Sequence, residues 1–184
     1  MDEIASRRQL RGAFLRWAVV TVPLMVLLGF VSVRLAPVGA RNPWYVRLAK
    51  PDVMPPEWVF PVAWSAMYAL LGLVLAMVVT ARGAKGRGIA LALLGIQLVF
   101  NLGWAPLFFG KHMVFAAFVA VAIAFGLGLV ALACFARVRA VAALLMLPYV
   151  AWLGYAGYQL HRFDQLNPNA ESLVPSGTMD QIVL

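Results

Sequence analysis

The chain has 184 residues, of which 64% are hydrophobic and 12% are charged, whereas soluble domains average about 45 to 50% and about 25%. This composition excludes an ordinary soluble domain and predicts a membrane protein. The formal net charge is +8, but the basic residues stand singly or in short groups at the ends of apolar segments. That pattern is typical of membrane flanks, so we expect no nucleic-acid partner.

Five segments without a charged side chain are each long enough for a transmembrane helix, which needs about 17 to 25 residues. Because helices satisfy their own backbone hydrogen bonds, they are the expected structure in lipid. We therefore predict an all-α membrane protein, one five-helix transmembrane bundle over residues 1–162. The predicted spans lie at about 14–36, 57–81, 87–109, 112–136 and 139–161. Residues 163–184 are polar and are predicted to form a mostly disordered tail.

The basic residues also predict an orientation. If the amino terminus is cytoplasmic, nine of the fifteen basic residues lie on the cytoplasmic side and six on the opposite side. The positive-inside rule then favours an amino terminus in the cytoplasm. The alanine- and arginine-rich composition hints at a bacterial membrane.

The loop between the first two spans shows signs of local order. Asn42 before Pro43 predicts a helix N-cap with proline at the first helical position, and Pro51 ends helical geometry, so we predict a short partly helical segment over 43–50. Glu57 is expected in the first turn of the second span, near the positive end of the helix dipole. The later links are short, so consecutive spans are predicted to be antiparallel neighbours.

Three spans each place aromatic or amide side chains on one helical face. These faces are Phe60, Trp64 and Tyr68 on the second span, Gln97, Asn101, Trp104 and Phe108 on the third, and Tyr149, Trp152, Ala156 and Gln159 on the fifth. In one interpretation they are core packing, the amides bond to neighbouring helices, and Trp17, Trp44 and Trp58 belong to interfacial belts. A belt does not explain Trp152, because twelve residues at about 1.5 Å each place it roughly 18 Å beyond Ala140. In the other interpretation the faces line a ligand site.

Other chemistry has little support in the sequence. His112 and His161 lie at span ends, so we expect no metal site inside the bundle. No catalytic set and no phosphate-binding glycine loop is present, so no catalytic residue is assigned from pattern. The spans also lack ionisable side chains of the kind that ion-coupled transporters use.

Two weaker patterns concern packing and lipid. Small residues recur every four positions on the fourth span, at Ala116, Ala120, Ala124 and Gly128. They favour close helix packing, either within the bundle or in a homodimer. Leu153, Tyr158 and Arg162 match a loose pattern proposed for cholesterol contact.

Several motifs together point to a known family. They are Trp44-Tyr45 with Leu48, Lys50-Pro51, Pro55-Pro56, Trp58-Val59-Phe60-Pro61 with Trp64 and Tyr68, Asn101 with Trp104, Pro106 and Phe108-Phe109-Gly110, and Pro148-Tyr149 with Trp152. On these residues the sequence resembles the translocator protein family, also called tryptophan-rich sensory proteins or peripheral benzodiazepine receptors. The resemblance extends from about Phe14 to Phe163.

The resemblance implies five transmembrane helices, a homodimer, and binding of porphyrins such as protoporphyrin IX, of sterols in some members, and of benzodiazepine-type ligands. By motif position it implies ligand contacts at Tyr45, Trp64, Asn101, Trp104, Trp152 and Ala156. Some bacterial members are reported to break down porphyrin in light, a role that would fall to Trp64 and Trp152. Transport has also been assigned to the family.

The chain departs from the family pattern at two places. The family commonly has tryptophan between the Lys-Pro and Pro-Pro pairs of the loop, where this chain has Asp52-Val53-Met54. It usually has asparagine near the end of the last span, where this chain has Leu160 with Gln159 beside it. The first departure concerns the aromatic lid and the second concerns sterol binding.

We therefore expect an integral membrane receptor or sensor that binds a flat hydrophobic ligand, foremost a tetrapyrrole, between helices beneath the first loop. No obligatory cofactor is expected. Arg41, Arg47 or Lys50 could pair with ligand carboxylates, and the loop would act as a lid. Two alternatives remain open: a light-dependent porphyrin-degrading enzyme, and a facilitated transporter of tetrapyrroles or sterols.

Overall fold

A computed structural model describes residues 7–173 of the chain. Its helices are α1 (Arg7–Arg34), α2 (Pro43–Arg47), α3 (Val59–Thr80), α4 (Arg87–Ala105), α5 (Val114–Val138) and α6 (Ala140–Leu166), with short helical turns at Gly39–Arg41, Pro106–Gly110 and Ala170–Leu173. Five of these helices are long and apolar enough to cross a membrane. The predicted all-α five-helix bundle is confirmed, and the chain is an integral membrane protein.

The order of helices around the bundle differs from their order in sequence. Helix α3 packs against α1 and α6, α6 packs against α5, and α5 packs against α4. The prediction that consecutive spans are neighbours holds for the last two pairs. It is wrong for α3 and α4, which touch only slightly. The link 81–86 between them is the reason, because six residues can reach about 20 Å and do not force contact.

Two glycines allow α1 and α3 to pack closely. A β carbon at Gly72 would lie 2.5 Å from the Val22 Cα atom, so the two backbones meet there. The Thr21 hydroxyl of α1 donates to the Gly72 carbonyl at 2.7 Å across the same contact. One turn away, the Tyr68 ring occupies the space that a β carbon at Gly29 would need. The contact with α1 therefore fixes the rotation of α3 and the direction of its aromatic face.

Pro106 ends the regular part of α4. Proline cannot donate to the carbonyl four residues earlier, and the Ser32 hydroxyl of α1 donates to that carbonyl, on Leu102, instead. The chain then widens into one π-helical turn, in which the Lys111 amide donates to the Pro106 carbonyl at 2.9 Å. Such turns inside helices often occur at functional sites.

The first loop is ordered and its predicted N-cap is confirmed. The Asn42 side chain accepts from the Trp44 and Tyr45 amides at 3.1 and 3.2 Å. Its amide group donates to the carbonyls of Pro37 and Phe109, both at 2.9 Å. The short helix ends at Arg47 rather than at residue 50. Asn42 therefore joins the loop to the π-helical turn.

The predicted disordered tail is wrong for residues 163–173. Helix α6 continues to Leu166, and the Asn167 side chain then forms two bonds with the Ala49 backbone, accepting from its amide at 2.8 Å and donating to its carbonyl at 3.0 Å. The Trp44 indole donates to the Ala170 carbonyl at 2.7 Å. The polar composition of this segment predicted that its side chains face solvent. Instead, the Asn167 side chain and the Ala170 carbonyl bond to the loop. Residues 174–184 of the predicted tail lie outside the described residues.

Two further predictions concern the start of α3 and the small residues of the fourth span. Glu57 precedes α3, whose N-cap is Trp58, so it is not in the first helical turn as predicted. Of the small residues of the fourth span, Ala120, Ala124 and Gly128 are buried within the chain, and a β carbon at Gly128 would contact Val150 and Leu153 of α6 at 3.6 and 3.7 Å. Of the two roles left open for that stripe, packing within the bundle is the one observed. The homodimer stays a prediction.

Candidate functional site

Three tryptophans from three helices meet in the space between α3, α4 and α6. The Trp64 ring stacks on Trp104 with centroids 5.7 Å apart, and it meets Trp152 edge-on at 6.2 Å. Phe60 and Tyr68, on the same face of α3, contact Trp152 and Trp64 respectively. We call these five side chains the indole cluster. The three tryptophans are half-buried, so the cluster fills the gap between the helices and also reaches its outer edge.

A polar group lies one turn deeper in the bundle, behind Trp104 and Trp152. The amides of Gln97 and Asn101 both donate to the Tyr149 hydroxyl, the second at 2.6 Å. All three side chains are fully buried. The side-chain NH2 groups of both residues donate to the same hydroxyl. Their oxygens, Gln97 Oε1 and Asn101 Oδ1, have no partner among the described residues. The buried Trp152 Nε1 has none either.

A second aromatic cluster forms the underside of the loop. Tyr45 contacts Phe108, Phe109 and Phe163 at centroid distances of 6.2, 5.4 and 5.9 Å. Phe109 also contacts Trp104 at 6.1 Å, so the two clusters are continuous. We call Trp44, Tyr45, Phe108, Phe109 and Phe163 the loop cluster. It covers the indole cluster from the loop side.

Trp44 is not the interfacial belt residue that one interpretation predicted. It is 1% exposed and lies edge-on to Phe108 at 5.2 Å. Its ring also lies 4.6 Å from that of His112, a residue with a φ of 60°. Trp17 and Trp58 are 41% and 67% exposed, as belt residues would be. Trp44 differs from Trp17 and Trp58 because it belongs to the short helix α2, which Asn42 caps and which packs Trp44 into the protein.

The structure divides the face predicted for the third span, and it adds two aromatic residues to the site that the sequence did not predict. Phe108 was predicted to share a face with Trp104, but the π-helical turn breaks the 3.6-residue period and directs Phe108 into the loop cluster. Ala156 lies half-buried on α6, one turn beyond Trp152. Phe109 and Phe163 were missed, the first because of the same turn and the second because it was assigned to the tail.

The basic residues of the loop differ in how they are held. The Lys50 ammonium donates to the carbonyls of Tyr45 and Leu48 at 2.6 and 3.1 Å and lies 4.2 Å from the centroid of the Tyr45 ring. Burial lowers the pKa of Lys50, an effect that the Glu57 carboxylate partly offsets. Burial, and less strongly the same carboxylate, raises the pKa of Tyr45 to about 12. All three basic side chains are exposed, but Lys50 also bonds to the loop backbone and so stabilises the loop.

The two departures from the family pattern lie against each other. Gln159 of α6 donates to the Val53 carbonyl at 2.8 Å and to the Tyr155 hydroxyl at 2.7 Å. Tyr155 in turn contacts the Trp152 ring at 5.3 Å. The loop segment that lacks the family tryptophan is thus bound through its backbone, and the glutamine beside Leu160 forms that bond.

The loose sterol pattern does not form one surface. Leu153 is fully buried, whereas Tyr158 is 49% exposed. The Arg162 guanidinium donates to the Gln165 side chain at 2.8 Å. The structure therefore brings only Tyr158 and Arg162 to the same side of α6.

Five apolar spanning helices with a tryptophan-lined interior under an ordered loop define a helical integral membrane protein with a candidate site for an apolar ligand. The chain belongs to the TspO/MBR family, whose model matches residues 19–163. It is 33% identical over 148 residues to the tryptophan-rich protein TspO of Chlorobaculum tepidum, covering 80% of this chain and 93% of that one.

Two further relatives carry different names. The tryptophan-rich sensory protein of Cereibacter sphaeroides is 36% identical over 132 residues, covering 70% of this chain and 82% of that protein. The translocator protein of Bos taurus is 33% identical over 126 residues, covering 67% and 75%. The resemblance found in the sequence is therefore confirmed.

Proposed function

We propose that the protein is a membrane receptor that binds a flat hydrophobic ligand of the tetrapyrrole class at the indole cluster. The observation that carries this proposal is the meeting of Trp64, Trp104 and Trp152 between three helices, two of which barely touch. Indole rings present wide, flat surfaces, and aromatic stacking adds about 0.5 to 1.5 kcal/mol per pair beyond area burial. A planar ligand would replace ring-to-ring contacts by ring-to-ligand contacts.

The polar atoms beside the cluster fit a tetrapyrrole better than a pure hydrocarbon. A porphyrin carries N–H donors and nitrogen acceptors in its centre. Gln97 Oε1 and Asn101 Oδ1 offer buried acceptors, and Trp152 Nε1 offers a buried donor. Leaving such groups unpaired costs about 1 to 3 kcal/mol each, so a ligand that satisfies one of them gains affinity.

The ends of the ligand would lie near the loop. Porphyrin carboxylates at the membrane surface would pair with Arg41 or Arg47, whose exposed guanidinium groups can bind a carboxylate through two parallel bonds. Lys50 contributes through its bonds to the loop backbone. The loop is fastened by Asn167 and by the Trp44 indole. Entry of a ligand requires these contacts to open, and reclosure on the ligand would be the signal.

A porphyrin titration of the purified protein tests the proposal. Protoporphyrin IX is added to wild type and to the Trp64→Ala, Trp152→Ala double variant, and the porphyrin's own absorbance reports binding. We expect the double variant to bind at least about tenfold more weakly, since tenfold corresponds to 1.4 kcal/mol. Trp58→Ala is the matched control, because Trp58 is exposed and outside the cluster. Equal affinity for wild type and double variant would exclude the site, and so would an equal loss in the control.

Two further measurements separate binding from the alternative activities. Illumination of the protein with bound porphyrin detects breakdown, which is assigned only if a spectral product exceeds that of free porphyrin. Flux into proteoliposomes detects passage across the bilayer. The names of two relatives contain the words sensory and translocator, and the flux assay tests for this chain the passage that the second word denotes.

A further inference from the structure

We propose that the end of the bundle opposite the loop holds an anionic phospholipid, with its phosphate between Arg11 and Arg139. A cavity of about 190 Å³ opens there between the ends of α1, α3 and α6. Its lining consists of two arginines and four apolar side chains: Leu10, Arg11, Phe14, Met77, Arg139 and Val141. The volume is about six times a water molecule's share of the liquid, so it suits the polar end of a lipid rather than a single ion.

Charge distribution in the described part of the chain favours an anionic ligand at this end. Nine basic residues occur in the first ten residues of α1, in the link 81–86, at the start of α4 and around the turn between α5 and α6: Arg7, Arg8, Arg11, Arg16, Arg82, Lys85, Arg87, Arg137 and Arg139. The four acidic residues within 7–173 all lie at the loop end, at Asp52, Glu57, Asp164 and Glu171. No carboxylate of the described residues is therefore available to neutralise Arg11 or Arg139.

The length of α1 places the cavity at the level of lipid headgroups. Its 28 residues extend about 42 Å at 1.5 Å per residue, whereas the hydrocarbon core of a bilayer is about 30 Å thick. The helix is therefore longer than the hydrocarbon is thick, and because Arg8 and Arg11 lie in its first turns, we expect those turns to project beyond the hydrocarbon. Leu10 and Phe14 are four residues apart on one face, with Arg11 beside them, so a lipid phosphate and its first methylene groups would meet matching chemistry.

Both arginines line the same cavity, so one phosphate bound there would lie beside both side chains. Arg139 is the single residue between α5 and α6, in extended geometry, and one guanidinium nitrogen lies 3.5 Å from the Met77 carbonyl. This long contact directs the side chain toward α3, and within residues 7–173 no other hydrogen bond of the guanidinium is found. Guanidinium groups bind phosphate oxygens through paired hydrogen bonds, which an ammonium cannot do. Clusters of basic residues at the ends of spans are a general feature of sites for anionic lipids.

Native mass spectrometry of the full-length protein with defined lipids tests the proposal. Wild type is titrated with phosphatidylglycerol and, separately, with phosphatidylcholine. We expect one phosphatidylglycerol to remain bound, and Arg11→Gln and Arg139→Gln each to weaken it by about tenfold or more. Arg139→Lys is expected to fall between wild type and the glutamine variant, since it keeps the charge and loses the paired bonds. Thermal unfolding of each variant verifies that it is folded.

Arg137→Gln is the matched control, because Arg137 is exposed at the same end and does not line the cavity. It should change the affinity less than twofold if the cavity is the site. An equal loss in Arg137→Gln would show general attraction between charges and overturn the proposal. Displacement of the lipid by millimolar inorganic phosphate would show an anion site without lipid specificity, and equal retention of phosphatidylcholine would remove the role of charge.

Discussion

The two ends of the bundle are built on different principles. At the loop end, side chains distant in sequence bond to backbone groups: Asn42 to Phe109, Trp44 to Ala170 and Asn167 to Ala49. At the opposite end, the connections are short, 81–86 and the single residue Arg139. That end presents basic side chains without acidic partners among the described residues. The loop end is thus closed over the indole cluster by hydrogen bonds between uncharged groups. The opposite end has an open cavity and a positive charge.

The difference shows where regulation of ligand access can reside. A short turn cannot open without unwinding helix, whereas a loop held by a few hydrogen bonds opens when those bonds break. Each such bond contributes about 0.5 to 1.5 kcal/mol, so the loop lies within reach of thermal opening. The indole cluster lies beneath the end that can open. Three substitutions test this comparison, from the largest expected effect to the smallest.

Asn42→Ala should have the largest effect, because one side chain forms four bonds at the loop end. The variant loses an N-cap, worth about 1 kcal/mol, and deprives two carbonyls of their donor. We expect it to lose about 2 to 4 kcal/mol of stability, measured as a lower unfolding midpoint in detergent. Arg82→Ala at the opposite end should stay within about 0.5 kcal/mol. Equal losses for the two substitutions would erase the contrast between the ends.

Asn167→Ala should open the loop without unfolding the bundle. Its side chain is the partner of both backbone groups of Ala49. We expect the free energy of loop opening to fall by about 1 to 2 kcal/mol, which corresponds to roughly 5- to 30-fold faster hydrogen exchange at the Ala49 amide. Asn169→Ala is the control, since Asn169 is exposed and only its backbone carbonyl is bonded. Unchanged protection of Ala49 would mean that Asn167 does not fasten the loop.

The sequence predicted those parts of the fold that depend on local chemistry. Charge-free segments of sufficient length gave the five spans, and Asn42 before Pro43 gave the cap, because both signals act within a few residues. The faces containing Trp64, Trp104 and Trp152 followed from helical spacing alone. Their meeting in one cluster could be expected only through the family resemblance.

Contacts between residues far apart in the sequence could not be predicted from local patterns. The close packing of α3 on α1 depends on Gly72 of α3 meeting Thr21 and Val22 of α1, which no periodic pattern reveals. The π-helical turn follows from Pro106 together with Ser32, two residues in different helices. Asn167 belonged to a polar segment, and composition cannot distinguish an amide that faces water from one that bonds to a distant backbone.

His112→Asn should have the smallest effect, and it is visible only as a change in pH dependence. Burial against Trp44 lowers the pKa of His112 below its ordinary value of 6.5. The folded loop therefore binds the proton less readily than the open loop, so the stabilisation is complete above pH 6.5 and is lost as the pH falls through the lowered pKa. The protection factor of the Trp44 amide, which is the exchange rate of the unstructured chain at the same pH divided by the observed rate, should fall modestly on acidification in wild type and stay constant in the variant. Asparagine tolerates the positive φ at this position, and His161 is present in both proteins, so the difference isolates His112. The same acid response in both proteins would place the titrating group elsewhere.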